Sequence, residues 1–115
     1  MTVLVVDDER DIRDSLRDAF EDAGYNVEVA GNGSEALAKL QEIDTPAVVI
    51  LDLIMPNTNG NEVWERMQAN PRLAGVPVIM ITSDPARAPS GVLTIKKPLN
   101  LKLLLHTVAK CGTPA

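Results

Sequence analysis

The sequence predicts an α/β domain, one five-stranded parallel sheet with helices packed on both faces. Three observations carry that expectation. Short apolar runs rich in β-branched residues recur along the chain, at residues 3–6, 27–30, 47–51, 76–81 and 92–95. Between most of them lie segments whose apolar residues return at helical spacing, and that alternation builds parallel strand-helix-strand units. The run Val48-Val49-Ile50-Leu51 carries no polar residue at all, which suits an interior strand covered on both sides.

Strand one is Val3-Leu4-Val5-Val6, and it stops at the acidic exit loop Asp7-Asp8-Glu9-Arg10-Asp11. Ile12, Leu16, Ala19, Phe20 and Ala23 then share one face of a first helix, and Gly24 is its natural stop. Asp8 stands where a helix cap would. Val27-Glu28-Val29-Ala30 alternates apolar and polar residues, as a strand nearer the sheet edge does. In Asn32-Gly33-Ser34-Glu35 an N-cap is followed three residues later by a glutamate, and Ala36, Leu37 and Leu40 form the buried stripe of helix two.

Residues 47–51 form strand three, which leads to Asp52 and to a turn that Pro56 helps to fix. The polar stretch Asn57-Thr58-Asn59-Gly60 is a loop. Asn59 and Glu62 repeat the cap pattern for helix three, whose inward residues are Val63, Met67 and Trp64. Asn70-Pro71 ends it, because a residue before proline is pushed out of the helical region. Strand four covers Val76 to Ile81, with Pro77 tolerated near its start, and ends at Thr82-Ser83-Asp84. Strand five is Val92-Leu93-Thr94-Ile95, followed by Lys96-Lys97-Pro98. The last helix carries Leu101, Leu104, Leu105 and Val108 on one face, with Asn100 as its cap and Gly112 beyond its end. Right-handed crossovers then give a flavodoxin-like doubly wound sheet of order 2-1-3-4-5.

One connection departs from the pattern. Residues 83–91 contain Pro85 and Pro89, and a parallel crossover normally takes a dozen or more residues and a helix. Pro89 would disrupt the interior of any helix begun at Pro85. The expectation is one helical turn at most, or an extended crossover, so the helix between strands four and five is reduced or absent.

The 115 residues make one domain, expected over 1–112 with a short tail at 113–115, and no output segment is expected after Gly112. The net charge is −5 and the basic residues are spread out, which argues against a nucleic-acid or acidic membrane surface. No apolar run is long enough to span a bilayer and no signal-peptide pattern opens the chain, so a cytoplasmic location is expected. The single cysteine, Cys111, cannot form an internal disulfide and reads as a small side chain near a helix end.

In a doubly wound sheet the carboxyl ends of the strands face one crevice. The residues just past those ends are Asp7 and Asp8, Asp52, Thr82 and Lys97. Three crowded carboxylates repel one another and suit a hard divalent cation with oxygen ligands, most simply Mg²⁺. A lysine and a hydroxyl opposite the metal leave a pocket for a phosphoryl group, stabilised by charge and position. With no serine, cysteine or histidine at a strand end, Asp52 is the natural nucleophile.

Asp7-Asp8 after strand one, Asp52-Leu53-Ile54-Met55-Pro56 with Gly60 after strand three, Thr82 after strand four and Lys97-Pro98 after strand five resemble the receiver domain of bacterial two-component response regulators, along the whole chain. The resemblance implies that Asp52 accepts a phosphoryl group from a histidine kinase or phosphotransfer protein. It implies that Asp7, Asp8, the Asp52 carboxylate and the Ile54 backbone carbonyl hold Mg²⁺. Lys97 would pair with the carboxylate and then the phosphoryl group. Thr82 would move to hydrogen-bond a phosphoryl oxygen and signal to a surface that binds an unknown downstream protein. The only catalysis implied is the chain's own phosphoryl uptake and slow autodephosphorylation, whose lifetime Ile54 and Asp84 would tune. Two departures fall on the output side. The family's switch aromatic, three residues before the motif lysine, is Thr94 here, and the fourth connection is short.

Each motif has a plainer reading. An Asp-Asp pair is commonly a solvated turn, Lys96 competes with Lys97 until Pro98 sets the register, and Arg87 reads as solvated. His106 lies in the last helix away from the strand ends, and Trp64 and the methionines read as packing. The closest rival function is a pseudo-receiver that binds partners without phosphorylation. An Mg²⁺-dependent phosphatase would want Asp-x-Asp, whereas Leu53 and Ile54 follow Asp52. A nucleotide-binding domain would want a glycine-rich first turn in place of Asp7-Asp8-Glu9.

Overall fold

The computed structural model describes residues 1–55 and 59–111. The expected Pro56 turn, the Asn57-Thr58 part of the loop, the Gly112 stop and the 113–115 tail lie outside the described residues. In chain order the elements are β1 (Thr2–Val6), α1 (Arg10–Asp22), β2 (Asn26–Ala30), α2 (Gly33–Glu42), β3 (Val48–Asp52), α3 (Gly60–Gln68), β4 (Val78–Thr82), β5 (Leu93–Lys96) and α4 (Leu101–Cys111). The strands form one parallel sheet of order β2-β1-β3-β4-β5. This is the doubly wound, flavodoxin-like architecture expected from the alternating pattern.

The polar-free runs are explained by what covers them. Along β1, β3 and β4, successive side chains point to opposite faces, and both faces are covered by helices. Leu4, Val6, Val49, Leu51 and Met80 pack with Ala36 and Leu40 of α2 and with Val63 and Met67 of α3. Val3, Val5, Val48, Ile50, Ile79 and Ile81 pack with Leu16 and Phe20 of α1 and with Leu104 and Val108 of α4. Strand β3 is therefore buried along its full length, and its last residue, Asp52, is drawn in with it.

Caps hold three of the four helices where the sequence places them. Asn32 Oδ1 accepts from the Glu35 N–H at 2.8 Å, Asn59 Oδ1 from the Glu62 N–H at 3.0 Å, and Asn100 Oδ1 from the Leu103 N–H at 3.1 Å. Each satisfies a backbone donor that the helix itself leaves unpaired. The first helix differs from expectation. Its N-cap is Glu9, not Asp8, and no side-chain cap bond forms there. Ala23 is also not on the buried stripe. It is the exposed C-cap of α1, because the chain turns away at Gly24, whose φ of +95° lies in the left-handed region that glycine accepts.

Strand boundaries shift slightly. Strand β4 begins at Val78, two residues later than expected, because the Val76 N–H is engaged in a turn with the Leu73 carbonyl. Pro77 thus precedes the strand, and its carbonyl still accepts from the Val49 N–H at 3.0 Å. Strand β5 runs one residue later, over Leu93–Lys96. In α4, Leu104 and Val108 are buried as expected, but Leu101 is 40% exposed at the helix start.

Residues 83–92 cross from β4 to β5 with only a single 3₁₀ turn, Pro85–Arg87. Ala88 and Val92 from this short crossover pack against the cluster that α2 and α3 cover. The second proline marks the stop: Ala88, directly before Pro89, has extended backbone angles.

Candidate phosphoacceptor and metal site

The chain order reverses between β1 and β3, so their carboxyl ends open the crevice where such sheets bind ligands. Pairing fixes which residues arrive there. Val6 lies beside Leu51, Asp52 beside Ile81 and Thr82 beside Lys96, so the strand ends are level and the residues past them meet.

Asp7 is fully buried and Asp52 is 2% exposed, whereas Asp8 is exposed. One carboxylate oxygen from each of the three lies within 4.8 Å of the others. At that separation two carboxylates repel by roughly 3 kcal/mol, taking an effective dielectric of about 20. Facing them is the Lys97 ammonium. Lys97 Nζ lies 3.4 Å from Asp52 Oδ2, 3.5 Å from Asp7 Oδ2 and 3.9 Å from Glu9 Oε1. Lys96, the competing lysine, is exposed.

The charge imbalance appears in the titration of the groups. Burial pushes the Asp52 carboxyl up to about 7, with the nearby Asp7 charge adding to the effect and Lys97 opposing it. Burial raises Asp7 as well, against the Glu9 N–H that donates to it. For Lys97, burial works against the charge, but Asp52 and Asp7 outweigh it and hold the ammonium above the usual lysine range. One lysine is not enough for this many carboxylates.

Local hydrogen bonds aim the carboxylates. Asp7 Oδ1 accepts from the Glu9 N–H at 2.8 Å, which turns Oδ2 into the crevice. That oxygen is buried and accepts no hydrogen bond among the described residues, although Lys97 stands nearby. Asp52 Oδ1 accepts from the Ile54 N–H at 3.3 Å. An orphaned carboxylate oxygen in an all-oxygen donor set fits a hard divalent cation, and Mg²⁺ in particular suits a site with few protein ligands.

The remaining candidates lie around this centre. Thr82 is buried at the end of β4, and its Oγ1 accepts from the Asp84 N–H at 3.0 Å. Asp84 itself is exposed, and Ile54 is 44% exposed at the rim. Thr94 is half-buried on β5 beside Met80, and its hydroxyl is occupied locally, donating to the Val92 carbonyl at 3.0 Å. The structure therefore brings Asp7, Asp8, Asp52 and Lys97 into one cluster and leaves Thr94 outside it. His106 is exposed on α4, and Trp64 packs partly buried against the core.

Gly60 lets this cluster close. A Cβ there would stand 2.5 Å from the Asp52 carbonyl oxygen and 2.8 Å from the Leu53 Cα. The Gly60 N–H instead donates to the Leu53 carbonyl at 2.8 Å, seating the start of α3 directly on the end of β3.

Two contributors escaped the sequence reading. Glu9 donates its N–H to Asp7 and adds a carboxylate near Lys97. Arg13, on the first turns of α1, donates from Nη1 to the Asp7 carbonyl at 2.9 Å. Arg13 is half-buried beside the apolar stripe of α1, and no local pattern in the sequence marks its contact with Asp7.

Comparison with known proteins agrees with this fold. The family model described as the response regulator receiver domain matches residues 3–109. The protein Rrf1 of Nitratidesulfovibrio vulgaris is 33% identical over 121 aligned positions, covering 97% of this chain and 87% of that protein. The response regulator MprA of Mycobacterium avium is 37% identical over 83 residues, 72% of this chain, and the match spans only 35% of that relative's length. Among solved structures, the chemotaxis response regulator CheY4 of Vibrio cholerae superposes with a TM-score of 0.87 at 33% identity, covering 96% of this chain and 97% of that one. No helix among the described residues is long and apolar enough to cross a membrane. The chain belongs to the response regulator receiver family, the signalling modules of two-component systems.

Proposed function

We propose that this chain is a phosphoacceptor, taking a phosphoryl group onto Asp52 from a histidine kinase or phosphotransfer protein and presenting a changed surface to a downstream protein. The observation that carries the reading is the Asp52 carboxylate itself. It is buried at the end of the central strand, beside Lys97 Nζ at 3.4 Å and within reach of two further carboxylates.

In the transfer, an Asp52 carboxylate oxygen forms a bond to phosphorus while the phosphorus–nitrogen bond of the donor phosphohistidine breaks. The imidazole leaves with the bonding electrons and takes a proton from solvent. Asp7, Asp8, Asp52 and the Ile54 carbonyl would hold Mg²⁺. When bound, Mg²⁺ supplies the charge that keeps Asp52 ionised and draws electron density from the phosphoryl oxygens. Lys97, already pulled toward Asp52, would follow the new negative charge onto the phosphoryl group. The Thr82 hydroxyl can donate to a phosphoryl oxygen while still accepting from the Asp84 N–H, which ties the site to the short crossover.

The test is intact-mass spectrometry after incubation with a small acyl phosphate and Mg²⁺. The mass of one phosphoryl group should appear in the wild type and not in Asp52→Asn. The rival reading, a pseudo-receiver that binds partners without phosphorylation, draws on Thr94 and the missing fourth-connection helix. It predicts no added mass in either protein.

A further inference from the structure

Asp7 is gripped on three sides. Its N–H donates to the Ala30 carbonyl at 3.1 Å, its Oδ1 accepts from the Glu9 N–H, and its carbonyl accepts from Arg13 Nη1 at 2.9 Å. The first two bonds come from backbone that the strand and turn would supply in any case. The third comes from a side chain on a different element, α1, reaching back across the turn. The Arg13 guanidinium runs over Gly31, where an added Cβ would meet Nη1 at 3.0 Å. A side chain at Gly31 would therefore crowd the Arg13 guanidinium where it bonds to the Asp7 carbonyl.

We propose that Arg13 is a positioning residue for the divalent cation, fixing the Asp7-Asp8 turn so that the orphaned Asp7 oxygen and the Asp8 carboxylate face Asp52. This inference rests on the metal-dependent reading above. The physical reasoning gives it a sign. Arg13 carries a positive charge one peptide group from a cation site, so on Coulomb grounds alone its removal would tighten metal binding. A positioning role requires the opposite, because outer residues that orient ligands typically hold about tenfold or more in metal affinity.

The experiment is a calorimetric Mg²⁺ titration of the wild type, Arg13→Met and Gly31→Ala, paired with amide hydrogen exchange in chelator. Arg13→Met should weaken Mg²⁺ binding about tenfold. In the metal-free protein the Glu9 amide, which Asp7 Oδ1 protects, should exchange faster, a change that a general loss of stability would spread over the whole sheet. Gly31→Ala keeps the arginine but crowds it, and should weaken Mg²⁺ by a smaller factor in the same direction. Unchanged or tighter Mg²⁺ binding in a folded Arg13→Met protein overturns the inference while leaving the phosphoacceptor reading intact. If Arg13→Met does not fold, Gly31→Ala decides, and wild-type affinity in that variant overturns it. A wild type that binds no Mg²⁺ overturns both.

Discussion

Replacing the proposed nucleophile should make the metal-free protein more stable. Burial and the Asp7 charge raise the Asp52 carboxyl from its ordinary value of 3.8 to about 7. A carboxyl held above its unfolded value binds its proton more tightly in the folded state. The stability it contributes is therefore complete below pH 3.8 and is lost as pH rises through about 7. At about 1.36 kcal/mol per pH unit, the full loss approaches roughly 4 kcal/mol. Asp52→Asn stays neutral at every pH and avoids it. Lys97 gives up one partner in that variant but keeps Asp7 and Glu9, so a net gain of about 2 to 4 kcal/mol is expected at pH 8 in chelator. With a urea slope of about 1.5 kcal/mol per molar, the unfolding midpoint should rise by about 2 M. The gain should fade toward pH 4, where the wild-type carboxyl is itself protonated, and Mg²⁺ should narrow it at pH 8. An Asp52→Asn protein no more stable than wild type at pH 8 would refute the reasoning. So would a gain that is the same at pH 4, since packing rather than charge would then be its source.

Lys97→Met should act in the opposite direction, lowering metal-free stability at pH 8 by about 3 kcal/mol, because it strips from the buried Asp7 and Asp52 carboxylates the ammonium that pairs with both; equal urea midpoints would count against it. Gly60→Ala should destabilise by about 1 to 3 kcal/mol through backbone overlap with Asp52 and Leu53. Gly75→Ala, where an added Cβ meets nothing within 4 Å, serves as its control and should stay near wild type. Finally, the 83–91 crossover should carry the signal in place of an aromatic switch, since the Asp84 N–H bonds directly to Thr82 Oγ1. Hydrogen exchange with and without a phosphoryl mimic should change in this loop, and Thr82→Ala should blunt that change. Changes elsewhere with none in the loop would sink the idea.

The fold was readable because burial left its mark on residue type. Three interior strands covered on both faces admit no polar residues, so Val3 to Val6, Val48 to Leu51 and Val78 to Ile81 stand out without any alignment. Caps at Asn32, Asn59 and Asn100 were equally legible, since a single side chain makes the bond within three residues. The misplaced details depend on three dimensions. Whether Ala23 is buried depends on where α1 overhangs the sheet, and whether Val76 joins β4 depends on a turn back to Leu73. At the site, parallel topology brings strand ends together, so residues at those ends could be found by position. Arg13 reaches its partner from the side of a helix, close to Gly31 on another connection, and nothing local in the sequence marks that contact.

The most direct test of the central claim is to locate the phosphoryl group. Treating the Mg²⁺-loaded protein with an acyl phosphate, reducing any acyl phosphate formed with borohydride, and sequencing the peptides reports the modified carboxylate itself. The account predicts modification at Asp52 alone, dependent on Mg²⁺ and absent in Asp52→Asn. A folded, Mg²⁺-bound protein that takes no label, or one labelled at Asp7, Asp8 or Asp84 instead, would contradict it.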